Sequence, residues 1–328
     1  MGNETKKSWS FLNKERPDAE IEDTTPTLKY FFKLLWRKAG KLLTLNLLMV
    51  FQVIPLVVAL LVYFFGATTP TVNSALYAPL MGAYIAGGSP AATTLLTLFG
   101  TPLNVPVMTV GRTVVIVIMI AFTVITWGWQ SVGAAYNLRS LVRGDSAFIL
   151  SDYFYAIRRN LKQGLLFGLL DVLIILVLGY DVFYFYTLSG TSFGNGLMYA
   201  VALALAFIYL VMRFYVYPMM ITFDLPISKL LKNALIFTAL GFKRNVLAML
   251  GIILIVVLNA FSIIWGLSIG LSVTLILPFF YLLTLLGFIS MYAAYPVIKR
   301  YMIDPYMTKE DGEEAQPDEA DATPQADG

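Results

Sequence analysis

The feature that most constrains this chain is a series of long apolar segments separated by short polar stretches. Each segment is close to the roughly 20 residues that an α-helix needs to cross the hydrocarbon core of a bilayer. Six segments are found, at residues 42–65, 113–136, 164–178 with a helical continuation to 186, 197–220, 246–265 and 271 to about 292. We therefore predict an all-α membrane protein with about six transmembrane helices.

Composition supports the membrane class and excludes several kinds of chemistry. Hydrophobic residues make up 58% of the chain and charged residues 13%, against about 45–50% and about 25% in a soluble domain. The chain contains neither cysteine nor histidine, so disulfides, thiol chemistry, imidazole bases and histidine-ligated metals are excluded. We predict no cofactor and no enzymatic activity. No basic soluble module indicates a nucleic-acid partner.

Three polar stretches have the pattern of a short amphipathic helix, and each precedes an apolar segment. They cover residues 28–41, 151–163 and 226–241. Their basic residues are Lys29, Lys33, Arg37 and Lys41, then Arg158, Arg159 and Lys162, and then Lys229 and Lys232. Their apolar faces comprise Leu28, Phe31, Phe32 and Leu35, then Tyr153, Phe154, Ile157 and Leu161, and then Ile227, Leu230, Leu231, Ala234 and Leu235.

Basic amphipathic helices of this kind favour the headgroup plane of an anionic leaflet, because long basic side chains can reach the phosphates. Packing on the protein's own surface is the alternative. The predicted architecture is three hairpins, each preceded by a basic amphipathic interfacial helix, with an anionic inner leaflet as the lipid partner.

The boundaries of the middle amphipathic helix follow from its capping residues. Ser151 can cap the helix, and Asp152 suits a first turn, where the helix dipole is positive. Arg139, Arg143 and Asp145 are expected in the turn that precedes it.

The distribution of basic residues indicates the orientation of the chain. All but one of the 23 lysines and arginines fall on the inner side of the six-span scheme or within the inner ends of its helices, and Arg112 is the exception. The positive-inside rule then predicts a multi-pass protein of the bacterial cell (inner) membrane with both termini in the cytosol. Residues 1–27 are expected to be a disordered cytosolic tail, 28–303 a single membrane domain, and 304–328 an acidic, disordered cytosolic tail.

Residues 66–111 form an unusual region, because no charge occurs between Lys41 and Arg112. Prolines and glycines divide it into apolar pieces that are shorter than a span. We expect an uncharged outer cap or a re-entrant region. A pair of additional short spans is the alternative, and it would leave the downstream topology unchanged.

Two ionisable residues, Asp171 and Arg213, lie well inside predicted spans. A charge within a bilayer is costly unless it is paired. Both lie about seven residues from the inner ends of adjacent, antiparallel spans, and therefore at similar depth. We predict that they face each other as a charge pair that pins the hairpin; a polar ligand site is the alternative. Asn46 and Gln52 in the first span are predicted to bond to neighbouring helices.

The middle of the chain carries two blocks of recognisable motifs. The first contains the turn Val142, Arg143, Gly144 and Asp145, then an aromatic helix, and then Asn160, Lys162 and Gln163. The second is YPMMITFDLPISKLLKNAL, residues 217–235. In these features, which cover roughly residues 130–250, the chain resembles the YesL-like family of bacterial membrane proteins, whose domain has no known function. The resemblance implies a link to carbohydrate uptake through ABC importers and glycan hydrolases.

Three functions are compatible with these observations. The first is an accessory or assembly protein beside a carbohydrate ABC importer; the chain has no P-loop motif and so cannot power transport itself. The second is a small-solute transporter or channel, which would require more embedded ionisable groups than Asp171 and Arg213. The third is an intramembrane aspartyl protease, for which the Gly-x-Gly-Asp partner motif is absent. We favour the first.

Overall fold

The computed structural model describes residues 26 to 305, apart from 71–81, 83–103, 146 and 272. The predicted tails, except residues 26, 27, 304 and 305, and most of the uncharged region 66–111 lie outside the described residues. Within the described part, six helices are long and apolar enough to cross a membrane. The predicted class, an all-α multi-pass membrane protein, is confirmed.

The elements follow one another in the order that the apolar segments predict. They are α1 (Leu28–Arg37), α2 (Ala39–Phe64), β1 (Thr68–Pro70), β2 (Asn104–Pro106), α3 (Val110–Arg143), α4 (Ile149–Arg159), α5 (Leu161–Leu188), α6 (Phe193–Met220), α7 (Ile227–Leu240), α8 (Phe242–Ser268), α9 (Val273–Ile276), a 3-10 turn (Leu277–Phe280), α10 (Leu282–Ile298) and a π-helical turn (Lys299–Ile303). The strands β1 and β2 pair antiparallel as a three-residue ribbon.

The long helices form antiparallel hairpins that pack into one bundle. The pairs α2 and α3, α5 and α6, and α8 and α10 are neighbours, α3 also packs on α5, and α10 contacts α2, α3 and α6. The largest buried side chains include Leu141, Tyr215 and Phe288. We call the end of the bundle that carries α1, α4 and α7 the basic end, and the end with the β-ribbon the opposite end.

The three short helices stand directly before α2, α5 and α8, as the sequence predicts. Each buries one face in the bundle, through Tyr30 and Leu34 on α1, Ile149, Tyr153 and Ala156 on α4, and Leu230, Ala234 and Phe237 on α7. The Tyr153 hydroxyl donates to Gln130 Oε1 at 2.9 Å, and burial raises the pKa of this phenol, which keeps the donor protonated. These helices are therefore docked on the protein itself.

The predicted apolar faces of the short helices are divided between the bundle and the exposed surface. The exposed members are Leu28 and Phe32 of α1, Phe154 of α4, Leu161 at the start of α5, and Leu235 of α7. The reason is that each short helix has two apolar stripes, and the sequence alone cannot tell which one meets the core. The outer stripe is left available to lipid, next to the basic residues.

Several helix boundaries also differ from the prediction. α1 ends at Arg37, so Lys41 belongs to α2. α4 begins at Ile149 and Ser151 does not cap it. Instead the carboxylate of Asp152 accepts a hydrogen bond of 2.8 Å from the backbone N–H of Phe148, because a carboxylate reaches back to the N-terminal amides more easily than a hydroxyl within the helix.

The second span is longer than predicted, since α3 continues to Arg143 and carries Arg139 and Arg143 on the helix rather than in a turn. Nothing in the sequence before Gly144 breaks the helix. Gly144 ends it with φ of 86°, a left-handed conformation that glycine adopts without a steric penalty.

The last span is broken rather than continuous. α9 passes into the 3-10 turn that contains Pro278, and α10 starts only at Leu282. Proline cannot donate to the helical ladder and clashes with the preceding turn, so the helix is interrupted at this point. Carbonyl and amide groups freed in this way need partners inside a bilayer.

Candidate functional site

The candidate site is built around the carboxylate of Asp171 on α5, which is completely buried inside the bundle. Three neutral donors surround it. Trp127 Nε1 on α3 donates to Oδ2 at 2.9 Å, Tyr217 on α6 donates to Oδ2 at 2.8 Å, and Tyr209 on α6 donates to Oδ1 at 2.7 Å. The carboxylate therefore joins three spans.

The fourth donor is Arg213 on α6, whose Nε lies 2.9 Å from Asp171 Oδ1. Its guanidinium carbon lies 5.7 Å from the centre of the Trp127 ring, within the range of a cation–π contact. The charge pair predicted from the depth of the two residues is present in the structure. Arg213 keeps 25% of its side chain exposed, whereas that of Asp171 is at 0%.

Sequence reasoning missed the three neutral donors, although a signal existed for two of them. Tyr209, Arg213 and Tyr217 are spaced by four residues and thus lie on one face of α6. That spacing, beside an embedded charge, indicates a shared contact. Trp127 gives no such signal, because only the packing of α3 against α5 brings it to the carboxylate.

That packing depends on glycines. A Cβ added at Gly168 of α5 would stand 2.5 Å from the backbone of Gly128 on α3, and one added at Gly128 would meet the backbone of Gly164. Gly164 and Gly168 form a Gly-x-x-x-Gly pattern, in which small residues let two membrane helices approach closely. The close crossing lets the indole of Trp127 reach Asp171.

Other polar residues in the spans also bond between helices, as predicted. Asn46 is buried and bridges the break in the last span, because its Nδ2 donates to Phe279 O at 2.5 Å and its Oδ1 accepts from Thr284 N at 3.0 Å. Gln52 donates to Thr123 O on α3 at 3.2 Å. The Asn46 amide thus satisfies backbone groups where the last span is interrupted.

Arg112, the exception to the charge distribution, is held at the opposite end by backbone carbonyls. Its Nε donates to Val62 O at 2.7 Å, its Nη1 to Ala67 O at 2.9 Å and to Val107 O at 2.7 Å, and its Nη2 to Tyr63 O. It therefore ties the last turn of α2 to the start of α3. The orphan carbonyls at a helix C-terminus are a favourable place for a cation.

The predicted basic residues all lie at the basic end but do not form one cluster. Lys29, Lys33, Arg37, Lys229 and Lys232 are exposed on α1 and α7, and Lys41 is half-buried on α2. Arg158, Arg159 and Lys162 are also exposed, and these three line one groove at the junction of α4 and α5.

The Asp171 centre is a polar contact in which the carboxylate is bonded by donors of the same protein. Four donors from two neighbouring helices occupy both carboxylate oxygens, and the adjacent guanidinium compensates the charge. A carboxylate held in this way has little capacity to accept a hydrogen bond from a further ligand. The chain matches no family model, no curated protein and no solved structure, so the family resemblance stays a prediction.

Proposed function

We propose that this protein is a non-catalytic accessory or assembly protein of the membrane that works with a bacterial carbohydrate ABC importer. The observation that carries the proposal is the closed centre at Asp171. An ion-coupled transporter needs embedded ionisable groups that exchange a proton or ligand along a path. In the described spans, the Asp171 carboxylate instead accepts hydrogen bonds from donors of its own bundle. This favours a structural function of the charge pair over transport of a solute.

The proposed orientation places the basic end in the cytosol, in the inner membrane of a bacterium. The positive-inside rule supports it, because the exposed cations of α1, α4 and α7 share this end. Arg112 lies at the opposite end and is consistent with the rule. Its guanidinium donates hydrogen bonds to carbonyls of α2 and of the segments beside it, which compensate its charge.

The lateral surface of α8 supports a partner within the membrane. Leu250, Leu254 and Phe261 are more than half exposed along this helix, which packs chiefly on α10 within the described residues. α7 comes directly before α8 and carries Lys229 and Lys232 on its exposed side. A partner span lying against α8 would therefore meet these two lysines at the basic end.

The test is purification of the tagged full chain from membranes of the organism that encodes it. We expect a carbohydrate importer permease to copurify at a fixed ratio. Lys229→Glu combined with Lys232→Glu should reduce that recovery several-fold, while the matched charge reversal Arg158→Glu with Lys162→Glu at the junction of α4 and α5 should leave it unchanged. Recovery without any importer subunit would contradict the proposed partnership.

Reconstitution separates the accessory function from transport. Proteoliposomes that contain only this protein should show no more solute uptake than empty liposomes. Uptake that requires no second protein would overturn the proposal in favour of a small-solute transporter or channel.

A further inference from the structure

A groove of about 720 Å³ opens at the basic end between two segments. One wall is residues 158–163, at the junction of α4 and α5, and the other is residues 220–224, which follow α6. Gln163 Nε2 donates to Leu225 O at 2.6 Å, so the two walls are tied together. The groove is therefore a formed feature of the bundle rather than a gap between separate parts.

The groove is lined by cations that have no partner among the described residues. Arg158, Arg159 and Lys162 make no hydrogen bond or ion pair with any other described side chain. Asp224 is the opposing charge on the lining, and it is exposed. Three positive charges against one negative leave the lining with a net charge of +2. Arginine and lysine side chains arranged in this way suit a phosphate group.

The backbone at the start of α5 also favours an anion in this groove. Asn160 breaks the path from α4 to α5 with φ of −113°, so the first turn of the 28-residue helix α5 begins on the groove lining. The first N–H groups of a helix have no intrahelical acceptors and lie at the positive end of its dipole. They reinforce the side-chain cations beside them.

The surroundings of the groove favour a lipid over a free anion. Leu161 on its lining is 45% exposed. Leu166, Leu169, Leu173 and Leu176 continue along α5 at helical spacing and are exposed as well. An anion seated in the groove would thus lie at the head of an apolar track that acyl chains can follow.

We propose that this groove binds the phosphate of an anionic phospholipid, with Arg158, Arg159 and Lys162 as its ligands and the exposed leucines of α5 against its acyl chains. The site is distinct from the Asp171 centre. It does not depend on the proposed importer, because all of its components belong to this chain.

The experiment measures lipid binding to the full chain in detergent micelles by native mass spectrometry, with short-chain phosphatidylglycerol as the probe. Arg158→Gln, Arg159→Gln and Lys162→Gln together should weaken binding about ten-fold or more, since each basic charge near an anionic headgroup contributes roughly five-fold. The matched control Lys29→Gln, Lys229→Gln and Lys232→Gln removes the same charge outside the groove and should stay within about two-fold of wild type.

A second variant keeps the test independent of folding defects in the first. Asp224→Asn removes the opposing carboxylate from the lining and should tighten phosphatidylglycerol binding about three-fold. Weaker or unchanged binding by this variant would overturn the proposal. Equal losses in the groove and control variants, equal retention of phosphatidylcholine, or displacement of the lipid by inorganic phosphate at comparable concentration would also overturn it.

Discussion

At the scale of single residues, Asp171 and Arg213 are not equivalent members of their pair. The carboxylate is fully buried, whereas a quarter of the arginine side chain is exposed. Removing one partner of a buried pair leaves an uncompensated charge, at a cost of roughly 3–5 kcal/mol. When Arg213 is replaced, the unpaired carboxylate of Asp171 stays buried away from water. When Asp171 is replaced, the unpaired Arg213 can extend its long side chain toward water.

This asymmetry gives a prediction for the two single variants. Arg213→Gln should lower the yield and melting temperature of monodisperse protein more than Asp171→Asn does. The double variant should recover part of the loss, because no unpaired charge remains. Asp181→Asn on the same helix is the matched control and should have little effect. Additive losses in the double variant would show that the two residues are not coupled.

The limits of sequence reasoning are clearest at this site. The depth of Asp171 and Arg213 could be counted along two antiparallel spans, and the spacing of Tyr209 and Tyr217 was visible. The contribution of Trp127 was not, because it depends on how closely α3 approaches α5. That approach is a property of packing rather than of hydropathy.

At the scale of helices, the crossing of α3 and α5 is set by Gly128 and Gly168. Gly168→Ala places a Cβ 2.5 Å from the backbone of Gly128. Overpacking of this kind costs typically about 1–3 kcal/mol. We expect lower thermal stability and a weaker contact of Trp127 with Asp171, measurable as a change in tryptophan fluorescence.

Gly179 on the same helix is the matched control. Among the described residues, no heavy atom beyond its own stretch of helix lies within 4 Å of a Cβ added there. Gly179→Ala should therefore be neutral or stabilising by up to about 1 kcal/mol, because alanine is the better helix former. A loss at Gly179 as large as that at Gly168 would argue against the close crossing.

The break in the last span illustrates what sequence reasoning leaves open at this scale. Pro278 was visible in the sequence, but a proline can kink a helix or end it. The outcome depends on Asn46, 233 residues from Phe279, which satisfies the freed backbone groups. Helix ends differ from the prediction for the same reason, since they depend on local caps such as Gly144 and Asp152 rather than on apolar length.

A prediction follows for Asn46. Asn46→Leu leaves Phe279 O and Thr284 N without their side-chain partner, at a cost of about 1–3 kcal/mol for each buried group. We expect a lower melting temperature and faster amide exchange in residues 277–284. Asn259→Leu, at a half-buried position on α8, should have a smaller effect, because only the Tyr281 hydroxyl donates to the Asn259 side-chain carbonyl.

At the scale of the whole molecule, the organising feature is the separation of charge. The exposed cations of α1, α4 and α7 share one end of the bundle, and both described chain ends lie there too. The backbone of residues 26 and 27 contacts Arg244 and Tyr292. The number of spans and this arrangement could be predicted because apolar length and charge are properties of the sequence itself.

The most direct test of the account is accessibility labelling of single cysteines in this naturally cysteine-free chain. Ser192, between α5 and α6 at the opposite end, and Ser228, on α7 at the basic end, are both exposed. In intact cells, Ser192→Cys should react with a membrane-impermeant maleimide, whereas Ser228→Cys should react only after the membrane is permeabilised. Labelling of Ser228→Cys in intact cells with protection of Ser192→Cys would contradict the proposed orientation.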